Sequence, residues 1–354
     1  MRSAVGSWAA AGLLLLGLAA CSGDGEAAQP PSAAPVIPTA PPQSGSGAAE
    51  IVAAADAFLG ALSDDERDEV LFDRGDKAQQ QRWSNLPHGL YERAGLMVGD
   101  LEPGKVTAFL TLMRTTLSTR GFDRVMAAWA ADEVIAASGG RTDLGTRYYW
   151  IAIIGEPSAT EPWQWQFGGH HVTVNATLRG DALSLTPSFL GAEPATYRKD
   201  GTEVRPLGAV IDAAFALVTM LDGDARQRAV RGAGPVDLVL GAGQDCRTIP
   251  AEGLPGSAMT AGQRDAFLKL INEYGGLGTT RLAAARLAQL AADLPETHFA
   301  WYGPTTPGST ASFRITGPHL VVEYSPQAMG GDADNHIHGI YRDPANDYGG
   351  SVCP

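Results

Sequence analysis

Apolar residues recur every three or four positions in several stretches of the chain, a spacing that predicts helices. The clearest stretches lie at 106–117, 122–129, 207–218, 267–271 and 279–293. Ser63 with Glu66 and Thr260 with Gln263 have the spacing of capping boxes, in which side chain and backbone exchange hydrogen bonds at a helix start. We therefore predict helix starts at both places, and we expect Gly121 to end the helix that precedes it.

Alternation of apolar and polar residues predicts strands in two other regions. The first comprises 147–154 and 170–186, where Gly180 and Asp181 form a two-residue hairpin turn that pairs Leu178 with Leu183. The second comprises 297–303, 311–316, 319–324 and 335–342. Successive strands joined by short turns favour antiparallel pairing, so the predicted fold class is α+β, an antiparallel sheet with flanking helices.

A weak internal repeat links the two strand regions. Residues 166–175 align with residues 314–323 at an offset of 148, and each segment follows helices that include an Ala-Phe-Leu triplet, at 108–110 and 266–268. Such self-similarity indicates a duplicated unit. We predict one α+β domain over 49–354, with two related halves at about 49–200 and 201–354.

The N-terminus has the order of a secretion signal. Arg2 precedes an apolar run at 8–18, which is too short to span a bilayer and ends in Leu18-Ala19-Ala20-Cys21. That tetrapeptide resembles the lipobox of bacterial lipoproteins, in which the cysteine is lipidated and begins the mature protein. We predict a signal peptide over 1–20, palmitate on Cys21, and a position in the bacterial cell envelope, anchored to the membrane and facing outside the cytoplasm. The alternative is an ordinary signal peptide with a chance cysteine.

The segment after the signal differs from the rest in composition. Residues 22–48 are dominated by Pro, Ala, Gly and Ser and contain no aromatic residue, so they are predicted to form, with the lipidated Cys21, a disordered tether over 21–48. The whole chain has a net charge of −13, which becomes −14 when Arg2 is removed with the signal. This acidic balance argues against nucleic acid as a partner.

Two cysteines remain after Cys21, and neither has the spacing of a metal ligand pair. Cys246 and Cys353 are predicted to form a disulfide, since an exported protein meets an oxidising compartment. Two unpaired buried thiols are the alternative.

Four of the seven histidines fall in two short motifs, His170-His171 and His336-Ile337-His338. In a strand, the two histidines of His-x-His project to one face, about 6.5–7 Å apart, which suits two imidazoles binding one ion. Adjacent histidines point to opposite faces, so only one of His170 and His171 is expected to join them. Imidazole ligands suit zinc, copper or iron, and an open fourth position would activate a bound water.

Charged residues near these motifs are candidates for the chemistry. Glu193, Glu323 and Asp347 could each be a ligand, a partner that orients an imidazole, or a general base, and Arg342 could stabilise developing negative charge. Structural roles compete with these interpretations. A histidine on an apolar face, such as His170, is commonly hydrogen-bonded within a core, and an aspartate before Tyr-Gly commonly caps its own turn.

Several of these motifs occur together, in one order, in a known family. They are Gly155-Glu156-Pro157-Ser158, then Pro162-Trp163-Gln164-Trp165-Gln166-Phe167-Gly168-Gly169-His170-His171, then Thr186-Pro187-Ser188-Phe189-Leu190-Gly191-Ala192-Glu193-Pro194, Phe313-Arg314-Ile315, Glu323, His336-Ile337-His338 and Asn346-Asp347-Tyr348-Gly349. With them the chain resembles, over about 50–350, the family catalogued as domain of unknown function 3500. The chain departs from the family pattern in one place: the run that precedes Asn346 is shorter than the family pattern leads us to expect. The resemblance implies no activity, but it implies that the His, Glu and Asp motifs are hallmarks, which fits a metal site.

Two functions remain open from the sequence. The first is a metal-dependent enzyme, hydrolytic or oxidative, in which His336, His338 and one of His170 and His171 hold a divalent zinc, copper or iron ion. The second is a non-catalytic, membrane-tethered lipoprotein that binds a small molecule or a protein. The chain contains no G-x-S-x-G, no P-loop, and no G-x-G-x-x-G between a strand and a helix.

Overall fold

The computed structural model describes residues 46–139, 141–329, 331–350 and 352–353. The predicted α+β class is confirmed: helices pack against a large, mostly antiparallel sheet. Within the described residues there are nine α-helices: α1 Ala48–Gly60, α2 Asp64–Val70, α3 Lys77–Gln80, α4 Pro103–Thr116, α5 Thr119–Gly139, α6 Gly208–Met220, α7 Gly223–Ala229, α8 Ala261–Gly275 and α9 Thr280–Ala292.

The strands among these residues are β1 Leu71–Phe72, β2 Leu96–Met97, β3 Trp150–Ile154, β4 Trp163–Gly168, β5 Val172–Arg179, β6 Ala182–Ser184, β7 Ser188–Ala192, β8 Tyr197–Lys199, β9 Thr202–Val204, β10 Val230–Gly232, β11 Leu254–Pro255, β12 His298–Tyr302, β13 Ser312–Gly317, β14 Leu320–Pro326 and β15 Ile337–Arg342. The main sheet has the order β1-β3-β4-β5-β7-β15-β14-β13-β12-β10, and β8 pairs separately with β9.

The order of elements repeats on either side of the central β7–β15 pair. In each half, two helices lead into a short strand that pairs in parallel with the first strand of a four-stranded run, β1 with β3 and β10 with β12. Two further helices then precede that run, α4 and α5 before β3, and α8 and α9 before β12. β7 and β15 are the last strands of the two runs, and they pair antiparallel, so the halves share one sheet.

The two faces of the sheet differ in chemistry. Trp163, Trp165 and Phe167 of β4 belong to the main apolar core with the helices. The intervening Gln164 and Gln166 point to the other face, because side chains alternate along a strand. This second face, called here the polar face, carries further buried polar side chains and is covered by loops; they include Asn175, Glu323, His338 and Arg342.

Most of the predicted local features are present. Both capping boxes form, at Ser63 and at Thr260, and Leu178 pairs with Leu183 across the predicted hairpin turn. The expectation for Gly121 was wrong, because α5 already begins at Thr119 and includes it. A Cβ on Gly121 would collide with the carbonyl oxygen of Leu277, so glycine permits a close approach of two backbones here.

The predicted disulfide between Cys246 and Cys353 is present. The predicted signal peptide, Cys21 and all but the last residues of the predicted tether lie outside the described residues. The first helix begins at Ala48, one residue before the predicted start of the domain. Among the described helices, none combines the length and the apolar composition needed to cross a membrane.

Candidate metal centre

Three neighbouring strands bring two of the predicted histidines into one row. Val172 pairs with Leu190, so His171, one residue earlier, lies opposite Gly191, whose N–H donates to the carbonyl oxygen of His171. On the other side of β7, Gly191 pairs with His338. The side chains of directly paired residues lie on the same face of a sheet. His171 and His338 therefore lean toward each other over a residue that has no side chain.

Gly191 is what makes this approach possible. A Cβ at this position would lie 2.9 Å from Cδ2 of His171 and 3.1 Å from Cδ2 of His338. Such distances are shorter than ordinary van der Waals contact, so any larger residue would push the rings apart. A glycine within a strand commonly marks such a close approach.

The third histidine, His336, immediately precedes β15 and completes the cluster. Its Nε2 lies 3.0 Å from Nε2 of His171 and 2.9 Å from Nε2 of His338. Three nitrogens each about 2.0–2.1 Å from a tetrahedral zinc ion would lie about 3.3 Å apart. The two distances to His336 are a few tenths of an ångström short of this value, and the ligand atoms of all three residues lie within 4.8 Å of one another. The three side chains are buried, and these residues could hold a metal.

The hydrogen bonds made by Nδ1 of His171 and of His336 determine the tautomer of each ring, and hence whether its Nε2, which points into the cluster, is an acceptor. Nδ1 of His171 lies 2.8 Å from Oδ1 of Asp132, and Nδ1 of His336 lies 2.9 Å from the carbonyl oxygen of Met329. A carboxylate or carbonyl oxygen can only accept, so each Nδ1 must carry the hydrogen. In the neutral rings both Nε2 atoms then present lone pairs to each other at 3.0 Å. This arrangement is repulsive unless a cation lies between them.

Asp132, in α5, anchors the cluster from a fully buried position. The Tyr149 hydroxyl donates to its Oδ2 at 2.6 Å, and the Nδ1 atoms of His170 and His171 lie 3.2 and 2.8 Å from its Oδ1. Burial alone would raise the pKa of Asp132, but the adjacent imidazoles more than offset it and hold the pKa below its usual range. A carboxylate that orients a metal-binding imidazole in this way is a common feature of zinc sites.

Two of the three clustered imidazoles have lowered pKa values, which favour their neutral form. Burial, followed by the proximity of His170, lowers the pKa of His171 to about 4. Burial and the neighbouring imidazoles also lower the pKa of His338. A metal ion binds only the unprotonated nitrogen. At pH 7 these two rings therefore need not lose a proton before they bind a metal ion.

The predicted residues His170 and Glu193 lie at the edge of the cluster. The ring of His170 lies against that of His171, with centroids 3.6 Å apart and the planes tilted by 38°, and it shares Asp132 with it. The two rings reach one carboxylate because β5 begins only at Val172, so strand alternation does not apply to them. Glu193 lies with Oε2 3.5 Å from Nδ1 of His336, on the side away from the other rings, and its side chain is 20% exposed.

Arg342 and Asp347 belong to a different cluster. Nη1 of Arg342 donates to Asp347 at 2.8 Å and to Asp245 at 2.9 Å, and Tyr348 also donates to Asp245. Arg342 and His338 share a face of β15 but are four residues apart, which is about 13 Å along a strand. The structure therefore does not bring this predicted pair to the histidines.

Glu323 is also placed elsewhere. Its carboxylate accepts from the backbone N–H groups of Val239 and Leu240 and from Nε of Arg314. These hydrogen bonds hold the loop after β10 against the polar face, so Glu323 has a structural role.

The sequence interpretation missed Asp132 and Tyr149. Asp132 continues the helical spacing of Phe122, Val125 and Trp129, so it occupies a core position of an apolar stripe. A carboxylate at such a position requires buried partners, because an unpaired buried charge is very costly. That signal was available in the sequence, although it does not say which residues are the partners.

Residues 44–350 match the model of a family described as "Protein of unknown function (DUF3500)". The chain belongs to this family. Neither a curated protein nor a solved structure matches the chain. The DUF3500 match covers both histidine motifs, Asp132 and Gly191, and it confirms the resemblance inferred from the sequence motifs. Since the family description assigns no activity, the function has to be argued from the site itself.

Proposed function

We propose that the chain is an exported bacterial lipoprotein whose folded part is a metal-dependent hydrolytic enzyme. His171, His336 and His338 bind a divalent metal ion through Nε2, with zinc the best match. The observation that carries this proposal is the inward-facing pair of acceptor nitrogens on His171 and His336, 3.0 Å apart, with His338 2.9 Å from the second of them. A metal ion turns this repulsion into three coordinate bonds.

The donor set favours hydrolysis over oxidation. Three imidazoles with a fourth position free for water form a common set for a catalytic zinc ion, which lowers the pKa of its bound water to near 7. Oxygen-activating iron sites more often combine two histidines with a carboxylate, and copper sites for electron transfer include a cysteine. Here the near carboxylates, Asp132 and Glu193, face Nδ1 atoms and not the centre of the cluster. Asp132 orients His171, and Glu193 supports His336.

Metal content tests the proposal directly. The full chain, purified in detergent without chelator, is expected to contain close to one equivalent of zinc by elemental analysis. The double variant His336→Ala, His338→Ala should lose it, because His171 would be the only one of the three ligands left, and His170 bonds Asp132 through Nδ1 on the far side of the His171 ring. His319→Ala is the matched control, since His319 also bonds an aspartate, Asp293, but belongs to no cluster of metal-ligating side chains among the described residues.

Two outcomes would change the conclusion. One equivalent of copper or iron in place of zinc would turn the proposal toward oxidative chemistry at the same residues. Less than a tenth of an equivalent of any metal, with the double variant still folded, would remove the enzyme proposal. The non-catalytic binding lipoprotein would then be the better hypothesis.

The position in the envelope is a separate proposal that rests on the N-terminal sequence alone. Cys21 carries the lipid, and the mature protein faces outside the cytoplasm on its membrane anchor. Metabolic labelling with palmitate should mark the wild-type chain and leave Cys21→Ser unlabelled and released from the membrane fraction. Labelling of the Cys21→Ser variant would contradict the assignment.

A further inference from the structure

A small cavity lies on the polar face of the sheet beside the metal centre. It offers about 20 Å³ to water-sized groups, which is room for one or two of them. Its walls combine aromatic rings, amides and cations, and its lining includes Arg82, Trp83, Arg93, Trp150, Gln166 and Thr173. Two arginines and no acidic residue contribute to this lining, in a chain whose net charge is −13. The local field therefore favours an anion.

Two side chains of the lining have hydrogen-bonding atoms without a partner. Nη2 of Arg93 donates to the carbonyl oxygens of Ser84, Leu86 and Gly169, but its buried Nε and Nη1 contact no acceptor among the described residues. Thr173 is 2% exposed, and its Oγ1 likewise has no partner in the described part of the chain. Buried polar atoms are rarely left unpaired, so these three atoms point to a bound group.

The cavity is tied to the metal centre by short stretches of backbone. Thr173 is two residues from His171, so their Cα atoms lie at most about 7 Å apart. Arg93 holds the carbonyl oxygen of Gly169, in the turn that carries His170 and His171. A ligand anchored at Thr173 and Arg93 would therefore lie against the stretch of backbone that carries His171.

We propose that this cavity binds a carboxylate group of the substrate, through Nε of Arg93 and Oγ1 of Thr173. The N–H of Nε and the Thr173 hydroxyl can each donate to one oxygen of a carboxylate, the positive charge of Arg93 strengthens this pairing, and the flat group suits the small volume. The substrate would then be a small carboxylic acid whose reacting bond lies a few atoms from the carboxylate. This assignment to a substrate rests on the proposed metal enzyme, whereas binding of the carboxylate does not.

Acetate is the simplest probe for the cavity. Because Trp83 and Trp150 line it, sodium acetate is expected to produce a saturable change in the tryptophan fluorescence of the full chain, with sodium chloride at equal ionic strength as reference. Arg93→Gln should weaken binding at least tenfold. Thr173→Val keeps the shape of the side chain and should weaken binding about threefold or more, which keeps the test valid if the arginine variant does not fold.

Arg74 supplies a matched control, because its Nε and Nη1 are also buried without partners among the described residues but it does not line the cavity. Arg74→Gln should bind acetate like the wild type. No saturable change in the wild type, or unchanged binding in both Arg93→Gln and Thr173→Val, would overturn the proposal. Saturable binding of inorganic phosphate without binding of acetate would overturn the assignment to a carboxylate.

A second binding experiment, with dicarboxylates, distinguishes failure of this inference from failure of the metal proposal. Dicarboxylates from succinate to adipate can place one carboxylate in the cavity and the other on the metal ion. At least one of them should bind tenfold more tightly than acetate to metal-loaded protein, and no more tightly than acetate after removal of the metal with EDTA. Equal binding to both forms would overturn the substrate role. Acetate binding by the His336→Ala, His338→Ala variant would support the cavity even if no metal is ever found.

Discussion

Each half of the molecule has a histidine in the equivalent strand turn, bonded to an aspartate from the second of the two preceding helices or its end, and only one of the two pairs lies in a candidate metal centre. In the first half, Asp132 in α5 bonds His171, in the turn between β4 and β5. In the second half, Asp293, directly after α9, bonds His319 at 2.7 Å in the turn between β13 and β14. The weak sequence repeat aligns these two histidines with each other.

The pairs differ in burial and in what lies beyond the histidine. Asp132 and His171 are both fully buried, whereas the side chains of Asp293 and His319 are 19% and 36% exposed. Among the described residues, every group of possible ligands close enough to share one ion includes His171. The pair alone therefore does not make a metal site. The other two imidazoles come from β15, the last strand of the second half, and from the residue just before it, so the centre depends on the halves sharing one sheet.

Replacement of the two aspartates gives the largest expected contrast. Asp132→Ala should cost about 3–5 kcal/mol of the free energy of unfolding, because Tyr149 and two histidines lose their buried acceptor. Asp293→Ala should cost less than about 1 kcal/mol, as is usual for a partly exposed pair. Urea unfolding of the metal-free proteins measures both values. Equal losses in the two variants would mean that burial does not distinguish the halves.

Acidification is expected to give the second-largest effect, a loss of stability through the buried pair of Asp132 and His171. The pKa of His171, lowered to about 4 in the folded protein, lies below its ordinary value of 6.5. The unfolded chain therefore binds the proton first, so this stabilisation is complete above pH 6.5 and is lost as the pH falls toward 4. Between pH 7 and pH 5 the metal-free protein should lose about 2 kcal/mol through this group. The His171→Gln variant does not titrate here and should show a correspondingly smaller loss in urea unfolding at the two pH values.

Gly191 tests whether the approach of the rings matters for metal binding. Gly191→Ala introduces a methyl group between His171 and His338, and it should weaken zinc affinity at least tenfold, about 1.4 kcal/mol. Gly339→Ala is the matched control, because Gly339 lies in the same strand pair, opposite Leu190 and next to His338, with its Cβ direction on the other face. Competition with a zinc chelator measures both affinities. Equal affinities in the two variants would show that Gly191 does not shape the site.

The sequence predicted most of the elements, because local rules determine them. Capping boxes, the turn at Gly180 and Asp181, and the alternation in β13 and β14 depend on neighbours in the chain, and the structure has them. The fold class follows from their order. Gly121 was misjudged because its role depends on Leu277, more than 150 residues away, which no local pattern reveals.

Of the residues in the candidate site, the sequence predicted only the histidines. Motifs identified His171, His336 and His338, but the choice between His170 and His171 needed the start of β5, and Asp132 needed the packing of α5. Arg342 and Asp347 lie close to His338 in sequence, yet an extended strand carries them about 13 Å away. Proximity along the chain was therefore a poor guide to membership of the site.

The smallest expected effect is the most specific test of the comparison between the halves. His319→Ala should change the free energy of unfolding by less than about 1 kcal/mol, because the side chain is one-third exposed and its bond to Asp293 competes with solvent. Its zinc content should equal that of the wild type, since His319 shares no ion with a second imidazole. Loss of zinc in this variant would mean that the second half holds a metal ion of its own, and the asymmetry between the halves would have to be abandoned.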